Sequence, residues 1–150
     1  MHLDKKLKWR KHIAAKRKQI NIKLHDMYWL LGKHSSLSMS NKTMIYKMVL
    51  KPIWTYGLQL WGTASNSNIE IIQLFQNKIL RLILKAPKYV PLIRDLQLST
   101  VKQVITDSIE KYKSRLKQHT NQLAKQLLLD IPTRRLKRHG PLELAHRLSN

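Results

Sequence analysis

No cysteine occurs anywhere in the chain. That absence excludes disulfides, thiolate zinc sites and cysteine nucleophiles together. Acidic residues are almost as scarce, with 8 carboxylates against 29 lysines and arginines. They are Asp4, Asp26, Glu70, Asp95, Asp107, Glu110, Asp130 and Glu143, scattered and singly placed. Metal-dependent phosphoryl transfer needs two or three carboxylates converging on divalent ions, and only Asp107 and Glu110 stand close enough to share a helical face. With 4 glycines there is no phosphate-cradling loop, and neither an HExxH helix nor a GxSxG elbow occurs. The seven histidines never pair at ligand spacing; His12 and His25 read as surface residues of a basic helix. Ser35, Ser36 and Ser38 neighbour His34, but adjacency in sequence is not triad geometry. No metal site and no catalytic residue is therefore expected.

Long hydrophobic runs are missing too. Met44 to Trp54 and Ile69 to Leu84 come nearest, and both are interrupted by charged or amide side chains, so no transmembrane helix is expected. Residues 1–6 carry charge at once and offer no apolar core for a secretory signal. These features point to a nuclear or cytoplasmic location.

What the sequence does have is positive charge. Its 150 residues carry a formal net charge of +21, enough self-repulsion to demand a polyanion or acidic partner. Nucleic acid fits best, because each neutralised phosphate releases a condensed counterion. An anionic membrane is the competing partner. The apolar share of 43% still permits a packed core.

Apolar spacing is helical throughout, with no strand-period alternation. A first helix is expected over Leu7–Leu31, with Ile13, Ile20, Leu24, Met27 and Leu31 as its inner stripe and Gly32 as its stop. Its other faces hold Lys8, Arg10, Lys11, Lys16, Arg17, Lys18 and Lys23, flanked only by Asp4 and Asp26. An ordinary solvated helix would carry compensating glutamates at i,i+4, so these cations are candidate phosphate contacts. A second helix should start at Ser40, bury Ile45, Met48, Val49 and Ile53, and kink or end near Pro52.

Residues 53–62 are the most unusual stretch, with Trp54, Tyr56, Gly57, Trp61 and Gly62 in ten positions. Rings there could stack on bases. The interleaved Ile53, Leu58 and Leu60 favour a structural aromatic block between helices instead. A third helix over Asn68–Leu84 should bury Ile69, Ile72, Phe75 or Gln76, Ile79 and Ile83. Residues 86–91 should be extended, and Leu92–Leu98 a short helix or turn. Thr100 should cap a fourth helix with Val101, Val104, Ile105, Ile109, Tyr112 and Leu116 inside, and a shorter apolar segment spans Leu123–Leu129. The expected fold is all-α, a small bundle of about four to five helices over residues 1–130. Residues 131–150 read as a basic, loosely ordered tail, where Arg134, Arg135, Lys137 and Arg138 are further candidate phosphate contacts or a nuclear-entry signal.

Several stretches together resemble one family. They are residues 3–13, residues 28–32, the run Lys51 to Ala64 around the tryptophan–glycine block, and residues 69–91. Arg94-Asp95-Leu96 and residues 133–138 continue the likeness. The chain is similar to the region following the palm in jockey-like non-LTR retrotransposon reverse transcriptases, over nearly its whole length. The resemblance implies a thumb-like helical part that grips a primer–template RNA–DNA duplex through its backbone. It also implies that palm and fingers, with the metal-binding aspartates and their Mg²⁺, lie before residue 1, so no cofactor is expected here. A truncated copy of such an element, inactive alone, accounts for the pattern; a poorly folded relic or a generic basic nucleic-acid binder are the alternatives.

Overall fold

The computed structural model describes residues 9–85, 98–126 and 128. Helix α1 spans Arg10–Asp26, where Ala14, Ala15 and unbranched cationic side chains all favour helix. Nothing caps it locally. Trp9 instead enters the helix in the left-handed region, with φ 59°, and its buried indole N–H donates to Thr63 Oγ1 at 3.0 Å. A tertiary bond thus fixes the start of α1. The apolar spacing predicts one helix as far as Leu31, but it breaks at Met27 and resumes as α2, Tyr28–Leu31. Gly32 does end α2, in an extended rather than left-handed conformation. Ile13, Ile20, Leu24 and Leu31 are buried as the spacing predicts, and Met27 packs at the core's edge. His12 departs from expectation. It lies buried, with its ring 5.9 Å from that of Trp9 and 6.5 Å from that of Trp61.

The second helix is a composite: α3 (Met39–Ile45), a π-helical stretch (Tyr46–Leu50) and α4 (Lys51–Thr55) follow without a break. Its cap is Ser38, which accepts from the Asn41 N–H, and not Ser40. Pro52 neither ends nor breaks the helix. Proline brings no N–H, and the turn ahead of it widens, so that the Lys51 N–H reaches the Tyr46 carbonyl. The buried row is Lys42, Tyr46, Leu50 and Trp54, not the predicted Ile45, Met48, Val49 and Ile53. A four-residue spacing drifts about 40° per step around a regular α-helix; the wider turn reduces that drift and keeps the row facing inward. Ile45 and Ile53 sit at its margin, and Met48 is left 69% exposed.

Gly57, at φ 69°, turns the chain into α5 (Leu58–Trp61). Helix α6 (Asn66–Leu84) follows and buries Ile69, Ile72, Phe75, Gln76, Ile79, Leu80 and Ile83. Helix α7 (Val101–Lys117) opens with a full capping box between Thr100 and Gln103. Two glutamines of α6 tie that opening down. Gln73 Oε1 accepts from the Val101 N–H at 2.8 Å, and Gln76 Nε2 donates to the Ser99 carbonyl at 3.1 Å. A short α8 (Gln122–Gln126) completes the described elements.

Every element among the described residues is helical. Four principal helices, α1, the composite α3–α4, α6 and α7, enclose one core. Helix α1 packs on both α6 and α4, while α5 and α6 pack on α7. Trp54 and Trp61 are in that core, as the structural reading of the aromatic block requires, whereas Tyr56 and Leu60 face solvent. The expectations for residues 86–91, for most of Leu92–Leu98 and for the tail from 131 lie outside the described residues.

Candidate nucleic-acid interface

Packing α1 on two neighbours sorts its cations. Residues seven apart lie nearly two full turns apart and so form lines along a helix. Lys11, Lys18 and His25 make one such line, all exposed, on the ridge of α1 farthest from the core. Arg10 and Arg17 make a second, exposed along one flank; Lys16 and Lys23 make a third along the other. No carboxylate occupies the first turn, so Arg10 and Lys11 stand against the positive end of the helix dipole, whereas Lys23 and His25 in the last turn accord with it. An unopposed positive field covers this helix, which an external polyanion would relieve.

Lys16 is the exception to free exposure. Its Nζ sits 5.1 Å from the centroid of the Tyr56 ring, and partial burial holds its pKa below the usual lysine value. Tyr56 itself is 69% exposed. Its backbone is rigidly held, because the Trp61 indole N–H donates to its carbonyl at 3.2 Å. Of the aromatic block, then, Trp54 and Trp61 build the scaffold and Tyr56 is carried on it.

On the other flank, Arg17 and Asn21 of α1 face Ile71, Leu74, Phe75 and Lys78 of α6 across a shallow surface groove. Lys78 is not among the residues singled out from the sequence. Its only signal there is a position off the apolar face of α6, and nothing local reveals which helix it meets. Lys8, Arg134, Arg135, Lys137 and Arg138 lie outside the described residues. No group of three His, Asp or Glu side chains converges among the described residues. No described helix is long and apolar enough to cross a membrane.

Comparison with known proteins gives this basic bundle a lineage. A probable RNA-directed DNA polymerase from transposon X-element of Drosophila melanogaster is 43% identical over 97% of the chain. The RNA-directed DNA polymerase from mobile element jockey of the same species is 36% identical over 95% of it. This chain belongs with the retrotransposon RNA-directed DNA polymerases. A jockey polymerase of Drosophila funebris, 33% identical over 97% of the chain, extends the likeness to a second species. The jockey-like chain spans about a sixth of the length of these relatives, 16% of the X-element protein and 17% of each jockey protein. No protein-family model matches it, and no solved structure does either.

Proposed function

We propose that this chain is the thumb-like, duplex-holding part of a jockey-like RNA-directed DNA polymerase, binding a primer–template RNA–DNA hybrid through its phosphates. The observation that carries the reading is α1: its exposed lysines and arginines have no acidic side chain among them from Arg10 to His25, on a chain whose relatives are RNA-directed DNA polymerases. Contacts of this kind give affinity and register without reading sequence. A duplex, whose phosphates run in regular rows, matches the lines of exposed cations along α1. The nucleotidyl-transfer chemistry, with its carboxylates and Mg²⁺, is assigned to palm and fingers in the rest of the relatives' length. The isolated chain is a binder and not an enzyme.

Titration of the purified chain against a labelled RNA–DNA hybrid across a salt series tests this, with double-stranded DNA and heparin as competitors. The expected result is a log–log salt slope of several phosphates, weaker competition by DNA than by unlabelled hybrid, and no nucleotide incorporation with Mg²⁺ or Mn²⁺. Equal displacement by heparin and hybrid, or incorporation by the pure chain, would overturn it.

A further inference from the structure

Two cations from different helices face each other across the α1–α6 groove. Arg17 and Asn21 form one bank and Lys78 the other, while Ile71, Leu74 and Phe75 line the space between them. Arg17 and Lys78 are exposed, Phe75 is buried, and Leu74 is 59% exposed although it belongs to an otherwise well-buried helix. Among the described residues, no carboxylate lines the groove. An ordinary packed seam between two helices would close over Leu74 or pair Lys78 with an acid; this one presents donors on both sides of an apolar strip. That is the chemical profile of a nucleic-acid strand, whose anionic phosphates alternate with sugars of largely apolar face.

We propose that the α1–α6 groove is a strand-binding groove. One phosphate sits between the Arg17 guanidinium and the Lys78 ammonium, the Asn21 amide donates to a phosphate or sugar oxygen, and a sugar rests on Leu74 and Ile71. This rests on the duplex-holding reading and deepens it, adding α6 to α1 as part of the same surface. A protein segment would need acids at a fixed spacing to match Arg17 and Lys78, whereas a strand carries charge at every residue. The positive field also continues past the groove on the same two helices, through exposed Arg10 on the Arg17 flank of α1 and Lys85 at the end of α6.

The test measures hybrid affinity and salt slope for the full chain and for R17Q, K78Q, the R17Q/K78Q double variant and L74S. All three positions are on the surface, and a circular dichroism melt verifies the fold of each variant. A K11Q/K18Q variant, equal in charge removed to the double variant, compares the outer ridge of α1 with the groove and should weaken binding less than R17Q/K78Q does. Each single cation variant should lower affinity about five- to tenfold near 0.1 M salt, and the double variant should reduce the slope by about 0.9. R17Q and K78Q should be less than additive, since they share one phosphate, and L74S should weaken binding without altering the slope. If the unaltered chain binds and only K11Q/K18Q weakens it, the groove is refuted while the duplex-holding reading stands; a groove built for an acidic protein segment gives this same result. If the unaltered chain binds no hybrid at all, both fall.

Discussion

Lys42 shows how far a single side chain can depart from its type. Its stem is buried in the core row of the composite helix, only 2% exposed, and its ammonium donates to the Gly32 carbonyl at 2.9 Å and to that of Ser35 at 3.5 Å. Buried carbonyls left without a donor are costly, so Lys42→Met, which keeps the stem, should destabilise by about 1–3 kcal/mol in urea unfolding. Tyr46 is fully enclosed on the same row. Burial pushes its phenol up to about 12, and no group among the described residues meets its oxygen in hydrogen-bonding geometry. Its folded pKa is raised, so the neutral form carries stability that is complete below the unfolded value near 10 and is lost as pH rises toward 12. The loss is roughly 3 kcal/mol across that window. Tyr46→Phe should change stability at pH 8 by less than about 1 kcal/mol and remove the alkaline loss, read as the difference between variant and parent in urea midpoints from about pH 9 to 12. Neither residue was legible in the sequence. A lysine and a tyrosine at helical spacing look like any half-exposed pair until the π turn rotates them inward.

At the scale of elements, caps and apolar periods were readable because they are local. Thr100 with Gln103 three residues on is a capping box in sequence and in space, and Thr100→Ala should cost about 1 kcal/mol of stability in thermal or urea unfolding. Most of the inner rows of α6 and α7 followed from three- and four-residue spacing, but fully buried Leu80 did not, and Val104 and Tyr112, expected inside, are only half-buried. The composite helix did not follow, because its period changes midway and Pro52 reads as a stop. Gly62 exposes another limit. Its backbone dihedrals are ordinary, yet a Cβ there would stand 2.6 Å from the Leu58 carbonyl oxygen and 2.9 Å from Ile105 Cγ2, so the residue is small both because of the close backbone of α5 and because α7 crosses there. Gly62→Ala should destabilise by about 1–3 kcal/mol through overpacking. Its cost should be less than additive with that of Ile105→Ala in a double-mutant cycle.

For the molecule as a whole, the electrostatic term working against the core is self-repulsion from a net charge of +21. Salt screens such repulsion beyond about 10 Å at 0.1 M, so the melting temperature should rise as NaCl is raised from about 10 mM to 0.1 M. A saturating hybrid should raise it further, by an amount equivalent to about 2.7 kcal/mol at a free concentration a hundredfold above Kd. A melting temperature that falls with added salt would mean the cations are already paired within the fold. The enclosed row of Trp54, Leu58 and Trp61 predicts a cooperative melt, against the alternative of a poorly folded relic, and differential scanning calorimetry decides between them.

Composition and spacing by themselves determined the helical class, the excess of unneutralised cations, the family likeness and the absence of a carboxylate cluster along the chain, because each is a property of residue types at short separations. Tertiary structure alone decided that His12 and Lys42 are buried, that Tyr56 rather than Trp54 or Trp61 faces solvent, and that Arg17 and Lys78 share one groove. Those outcomes depend on which helices meet. The sequence is silent on that, since residues as distant along the chain as Arg17 and Lys78 become neighbours only once the core has brought α1 and α6 together.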